Sequence, residues 1–461
     1  MKLKNESSVL DFGDTSFRRK EYMSEYRTLL VLLEKHMENG QTWARNADSQ
    51  RDFYETVIDQ TNLFDRNETE DKKMAKRGRT LTNSLVKTGL INGKREVSDA
   101  GRAWLHRNLA PLDEFEKVLS ISEDNLIFFR QWSKLRLYNV AGDHYIKPFL
   151  FMLKMLSRYK DIPRNNLEVL VLSISPSMGE KELDEIIDKY QLVIDNQLLF
   201  DQFLNMYIDQ GGMRVEESRL EAILNQKPIN EDDFNQFFKN GKSMEAAAPI
   251  YLKFVESVLL FREKPTRSSM MAMLRLSKQD KIKKAFGYNA TPFNSSKAPQ
   301  YTLSDFRDDN GENPLLSGSV ANIYNVFKNS KRYDLIREYG DMTYRLTNLA
   351  GIINYDNGIA NLPLQPIFTK LFDKFEIRMS GTQPFDEFEG ELGSEFYSNN
   401  SFIASLHLNS DSVRSGLEEV AGNYELSDVS KLVNYFEDQK NNRFVELVKN
   451  RFPQLSNQVQ H

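Results

Sequence analysis

Residues 71–106, DKKMAKRGRTLTNSLVKTGLINGKREVSDAGRAWLH, constrain the fold of this chain more tightly than any other stretch. A basic helical run, a turn and a new helix start follow one another without a gap. From Asp71 to Arg95 there are eight Lys/Arg (72, 73, 76, 77, 79, 87, 94 and 95) against one acid, Asp71, a surplus of seven. The whole chain carries a formal net charge of −5. Cations gathered onto one segment of an acidic protein mark a surface directed at phosphates rather than general stickiness.

The apolar spacing sets what surrounds this segment. Residues 17–38 bring Tyr22, Tyr26, Leu29, Leu30, Leu33 and His36 near one helical face. A second helix is expected over 48–63, where Phe53, Val57 and Leu63 recur at compatible intervals. The third, 70–88, turns Met74, Leu81, Leu85 and Val86 inward, with the basic residues and Thr80, Thr82 and Asn83 mostly outward. Gly89 ends it as a left-handed C-cap. Asn92-Gly93 between Leu90-Ile91 and Lys94–Val97 suits a hairpin with a type I′ turn. Ser98 with Asp99 then caps the next helix. Three helices followed by a hairpin is the order of a winged helix-turn-helix.

The remainder is read as mainly α with small β-hairpins. With 461 residues the chain exceeds one ordinary core, so a multidomain protein is expected. Four segments are assigned. Residues 1–145 form an N-terminal winged-helix DNA-recognition domain, and 146–300 a helical recognition subdomain with a second basic stretch. Residues 301–380 form a second winged-helix domain, and 381–461 an acidic segment with a helical linker. In the second segment, 165–225 alternates an apolar run with acidic helices, Asn230 starts a capped helix, and 243–261 is a strongly apolar helix. The second basic stretch, 262–284, holds eight Lys/Arg and two acids. Residues 287–318, rich in Asn, Ser, Pro and Gly, mark a boundary or mobile insertion. The opening pattern then returns: a helix ends at Ala350-Gly351, and Asp356-Asn357-Gly358 turns into an apolar strand.

Composition removes several function classes. No apolar run approaches the roughly 18 residues needed to cross a bilayer, and the start of the chain has no signal-peptide core. Zero cysteines exclude disulfides, thiolate metal sites and a cysteine nucleophile. A cytoplasmic protein is the simplest reading.

Chemistry assigns roles within the basic segment. Arg and Asn match guanine and adenine edges, so Arg77, Arg79, Thr80, Thr82 and Asn83 are base-edge candidates. Lys72, Lys73, Lys76, Lys87, Lys94 and Arg95 are phosphate contacts that fix register. Arg18, Arg19 and Lys20 could brace phosphates at the first helix. Lys264 and Arg267, beside Thr266, Ser268 and Ser269, could form a second contact surface, with Lys281, Lys283 and Lys284 nearby. Lys331 and Arg332 belong to the second winged-helix pattern. Trp132 and the aromatic residues around it are core rather than a stacking platform. No catalytic motif is visible. The histidines (36, 106, 144, 407, 461) are scattered, and neither a phosphate-cradling glycine loop nor G-x-S-x-G occurs. Asp438-Gln439-Lys440 and Asp71-Lys72-Lys73 have the D-x-K spelling of a metal-dependent nuclease but fall in helical patterns, without the paired strands such a site needs.

Five stretches, RTLTNSLVKTGLI…VSDAGRAWL, FFRQWSKLRLY, HYIKPFLFMLKML, YRLTNLAGIINYDNGIANL and EDQKNNRFVELVKNRFP, occur in order across residues 15–455. Together they resemble the recognition part of type IIS restriction endonucleases of the AlwI and BstNBI group, which includes nicking enzymes. The resemblance implies winged-helix elements reading a short asymmetric duplex, a linker, and then a Mg²⁺-dependent nuclease domain. This sequence is expected to lack that last domain, so no catalytic residue or metal ligand is carried over and Mg²⁺ is expected only for the absent part. Double-stranded DNA is the implied partner, with a second polypeptide as a source of nuclease activity. The rival readings are a non-catalytic winged-helix regulator or adaptor, and an intact nuclease with an atypical site in 380–461.

Overall fold

The protein is described here as a computed structural model, covering residues 1–3, 10, 21–64, 71–119, 121–208, 217–238, 244–286 and 315–423. Of residues 71–72, 217, 244–248, 331–338 and 420–423 only the backbone is described. Helix accounts for 62% and strand for 5%, so the mainly helical class with small antiparallel sheets holds.

Five helices build the N-terminal part: α1 (Tyr22–Glu38), α2 (Ala47–Gln60), α3 (Asp71–Leu81), α4 (Asn83–Lys87) and α5 (Asp99–Leu105). The expected single helix over 70–88 is thus two, divided at Thr82. Its Oγ1 donates back to the carbonyls of Gly78 (3.3 Å) and Arg79 (3.1 Å), a local bond that competes with a straight helix. Gly89, at φ 69, ends α4 as expected: Leu90 N reaches Leu85 O at 3.0 Å and Gly89 N reaches Val86 O at 3.0 Å. Ser98 caps α5, accepting from Gly101 N at 3.0 Å.

A run of shorter helices follows: α6 (Glu116–Leu119), α7 (Glu123–Lys134), α8 (Pro148–Arg158), α9 (Arg164–Ser173), α10 (Glu180–Lys189), α11 (Gln191–Ile194) and α12 (Phe200–Tyr207). Next come α13 (Glu217–Leu224), α14 (Glu231–Phe237), α15 (Met244–Glu263), α16 (Arg267–Ser277) and α17 (Asp280–Phe286). Asn230 caps α14, accepting from Asp233 N at 3.0 Å. The 28-residue α18 (Ala321–Asn348) leads back to α19 (Gln365–Lys374), α20 (Phe385–Glu389), α21 (Phe402–Ser405) and α22 (Ser410–Asn423).

Two three-stranded antiparallel sheets tie distant segments together. One has the order β1 (Leu137–Tyr138), β2 (Tyr145–Ile146), β6 (Ser380–Gly381). The other has the order β3 (Ile162–Pro163), β5 (Ile359–Asn361), β4 (Asn354–Asp356). β4 and β5 form the expected hairpin: Asp356 pairs with Ile359 around Asn357 (φ 48) and Gly358 (φ 78), the two positive angles of a type I′ turn.

Buried side chains fall into two clusters. The larger takes residues between Leu3 and Ile208 and again between Met342 and Leu417. The smaller takes residues between Leu220 and Phe327. Trp132 is fully buried and donates Nε1–H to Leu346 O at 2.9 Å, which confirms it as core. Arg130, also buried, is held by Glu116 through Nε (2.7 Å) and Nη2 (2.6 Å). Among the described residues no helix is long and apolar enough to cross a membrane.

Candidate nucleic-acid interface

The position of α3 follows from one small residue. A Cβ on Gly78 would stand 2.2 Å from Gln50 O, so only glycine lets α3 lie against α2 this closely. Gln50 then works through both ends of its amide: Nε2 donates to Trp43 O at 2.8 Å, and Oε1 accepts from Arg79 Nη1 at 2.7 Å. Arg77, half-buried, donates to Tyr54 Oη at 3.1 Å. Helix α2 therefore holds two of the basic side chains of α3. Neither Gln50 nor Tyr54 carries a charge or motif that would have singled it out in sequence.

The hairpin after α4 departs from expectation. Ile91 and Val97 share one antiparallel bridge, Arg95 N bonds Asn92 O at 3.0 Å, and Asn92 N bonds Glu96 O at 3.0 Å. Positive φ falls on Arg95 (φ 70) and not on Asn92 or Gly93. This is a three-residue loop closing on a left-handed bulge residue rather than the two-residue type I′ turn. Asn92 fixes it, its Oδ1 accepting from Lys94 N (2.9 Å) and Glu96 N (3.0 Å).

An arginine at positive φ costs on the order of 1 kcal/mol relative to its relaxed backbone. Side-chain anchoring offsets that. Arg95 is 9% exposed. Its Nε donates to Thr82 Oγ1 (2.9 Å), Nη2 to Asn83 Oδ1 (3.1 Å), and Nη1 to Gly93 O (2.9 Å). Its guanidinium lies 5.5 Å from the centre of the Trp43 ring. Burial, with Arg79 alongside, pushes its pKa down to about 10, which leaves it charged at neutral pH.

Two assigned positions are therefore corrected. Arg95 does not project to solvent as a phosphate contact, because its fork is occupied by α3, α4 and its own loop. Thr82 is buried, its hydroxyl engaged with Gly78, Arg79 and Arg95, so it presents no base-edge group. Asn83 is half-buried with Oδ1 occupied, and half-buried Thr80 donates to Arg77 O at 3.0 Å.

The outward cations are Lys73, Lys76 and Arg79 on α3 and Lys94 at the loop tip, all exposed; Lys87 is half-buried at the end of α4. Helix α3 runs through Lys72, and α18 through Lys331 and Arg332, whose side chains lie outside the described residues, as do Arg18, Arg19 and Lys20. Residues 287–314, the Asp438-Gln439-Lys440 spelling and the 426–453 helical pattern lie outside them too. Lys264 and Arg267 are exposed, flanking the Thr266 cap of α16. That cap engages Thr266 and Ser269 with each other's backbone N–H groups, so both hydroxyls serve the helix end.

Among the described residues no group of three or more His, Cys, Asp or Glu is placed to hold a metal ion, so no Mg²⁺ ligand set is assigned. What the face can do chemically is present a row of cations and guanidinium forks on a helix braced from behind. Compared with protein-family models, curated proteins and solved structures, the chain finds no match in any of the three.

Proposed function

We propose that the chain recognises a specific DNA duplex through a winged helix-turn-helix made of α1, α2, the broken helix α3–α4 and the loop 91–97. The observation that carries this reading is the Arg95 anchorage, which joins loop and helix into one unit while leaving Lys73, Lys76, Arg79 and Lys94 exposed on it. In this reading α3 enters the major groove and the loop tip touches the backbone. Arg77 and Arg79 approach base edges, held by Tyr54 and Gln50, while Lys73, Lys76, Lys87 and Lys94 meet phosphates. Arg95 and Thr82 support the unit from inside.

The β4–β5 hairpin behind α18 supplies a second element of the same plan, with Lys331 and Arg332 on its helix and Lys264 and Arg267 as an additional backbone contact. In this reading the ordered resemblance to the AlwI and BstNBI group supports a role for the chain in recognition, with Mg²⁺-dependent cleavage supplied by groups other than the residues of this face. A cytoplasmic location goes with that role.

Selection of bound duplexes from a random pool tests the reading. One sequence should emerge that binds roughly a thousandfold or more tighter than unrelated DNA, with affinity falling steeply as salt rises. Equal affinity for every duplex at ~0.15 M salt would remove sequence recognition and favour a regulator or adaptor role. Mg²⁺-dependent cutting by the purified chain would overturn the assignment of cleavage to another part.

A further inference from the structure

Bonds inside the basic face use up most of its acceptors. Gln50, 3% exposed, gives Oε1 to Arg79 Nη1 at 2.7 Å, while its Nε2 donates to Trp43 O. Asn83 Oδ1 accepts from Arg95 Nη2 at 3.1 Å, and Tyr54 Oη accepts from Arg77 Nη1 at 3.1 Å. The buried Thr82 hydroxyl accepts from Arg95 Nε.

These bonds leave mainly donors turned outward on α3 and α4. Arg79 is exposed, and with Nη1 held, its Nε and Nη2 meet no acceptor among the described residues. Asn83 keeps only its Nδ2 donors, since an arginine partner requires the amide oxygen to face it. Lys76, on α3 three residues before Arg79, is exposed as well. Among the described side chains, acceptors persist at the half-buried Thr80, whose hydroxyl proton goes to Arg77 O, and at Glu96. Glu96 lies on the loop rather than the helices, and its Oε2 accepts from Asn92 Nδ2 at 2.6 Å.

Base edges in the major groove differ in the same respect. Guanine shows two adjacent acceptors, N7 and O6, whereas adenine sets an amino donor beside its one acceptor and cytosine shows a donor. Asparagine reads adenine with donor and acceptor together, a pairing closed to Asn83 while Arg95 holds its Oδ1. Arg95 Nη2 also stands 3.4 Å from Arg79 O, so a second guanidinium lies beside the outward fork. Two adjoining cations favour a pair of acceptors and oppose an amino group.

We propose that the α3–α4 face selects guanine, with Arg79 spanning N7 and O6 through its Nε and Nη2. Gln50 is the positioning residue: by holding Nη1 it fixes the plane of the fork before DNA arrives, which lowers the ordering cost of binding. Asn83 does not read adenine. The inference rests on the duplex reading above and names the base which that surface selects.

The test selects bound duplexes from a random pool with the whole chain, then measures affinities on the selected site. One position should be fixed as guanine. Replacing that G·C pair by A·T should weaken wild-type binding about 5- to 150-fold, the worth of one bidentate contact. 7-Deazaguanine, which keeps O6 and the base pairing but lacks N7, should weaken it too. Arg79→Lys keeps the charge but loses the fork, so it should lose most of the preference for guanine with an unchanged salt slope. Gln50→Leu should reduce the same preference, and Gln50→Glu, which retains an acceptor for Nη1, should restore it. Circular dichroism checks the buried Gln50 variants for folding, and the exposed Arg79→Lys decides if they fail to fold.

A selected sequence whose guanine preference is the same in wild type and Arg79→Lys overturns the inference and leaves duplex recognition standing. So does a site on which 7-deazaguanine binds as well as guanine. A pool that yields no preferred sequence removes duplex recognition itself, and guanine selection with it.

Discussion

Arg95 donates its Nε hydrogen to Thr82 Oγ1 at 2.9 Å, joining the loop after α4 to the break between α3 and α4. The two residues lie thirteen positions apart and would both be placed at a DNA surface by residue type alone. Together they form a buried joint between the loop and the broken helix; three tests bear on this joint and the residues around it, and a fourth on the buried Lys134.

Replacing Arg95 by Met leaves Asn83 Oδ1 without its donor, removes the charged donor from Thr82 Oγ1, which keeps its bonds to Gly78 O and Arg79 O, and releases the left-handed loop. Hydrogen bonds from a charged group are worth ~1.5–3 kcal/mol, so chemical denaturation should show a loss of that order. Duplex affinity should fall while its salt slope stays within experimental scatter of wild type, because no phosphate contact is removed. A slope reduced by about 0.9 would show instead that Arg95 meets a phosphate.

Gly78→Ala gives a prediction of sign. In an open helix interior this change stabilises by ~1 kcal/mol. Here the new methyl would meet Gln50 O, so α3 must move off α2, at a cost of about 1–3 kcal/mol. A variant that melts higher than wild type would refute the close approach.

Lys76 and Lys94 are exposed, so truncating both to Ala should leave stability within about 0.5 kcal/mol per site. The salt slope of duplex binding should fall by about 1.8 for the pair, since each phosphate contact contributes ~0.9. An unchanged slope would remove both residues from the interface.

Lys134 predicts a pH dependence. Its folded pKa, about 7, lies below its ordinary 10.5 because burial disfavours the ammonium. Between these values the unfolded chain binds a proton that the folded chain does not, so stability rises with pH from about 7 toward 10.5. Below about 7 both states are protonated and the contribution is flat. Midpoints measured for wild type and Lys134→Met should therefore converge as pH climbs from 7 to 9. A constant difference between the two would show that Lys134 keeps its proton in the folded protein.

Local chemistry was readable where it acts over a few residues. Gly89 and Ser98 end and start helices through bonds to neighbours within six positions, and Asn357-Gly358 keeps its type I′ turn although Gly358 O accepts from the distant Arg164 N at 2.8 Å. Asn92-Gly93 has the same type I′ propensity, yet the Arg95 side chain seeks Thr82 and Asn83 and takes the positive φ with it. Charge counting marked the basic face but could not sort it, because Arg95 and Lys94 differ in burial and not in sign. Lys134 carried no signal either, lying among aromatic residues that read as core. The two-residue strands β3 and β6 are too short for any periodicity, and their partners lie some 200 positions away.

Helix α18 has a consequence for how the molecule comes apart. Ala321, Ile323 and Phe327 belong to the smaller cluster, while Met342 and Leu346 belong to the larger. At 1.5 Å per residue its 28 residues reach about 42 Å. Melting either cluster strips apolar cover from one end of this helix and lengthens the frayed segment facing the other. Coupling of the two clusters through this helix predicts one heat-absorption peak in calorimetry, and two resolved peaks would show that they unfold separately.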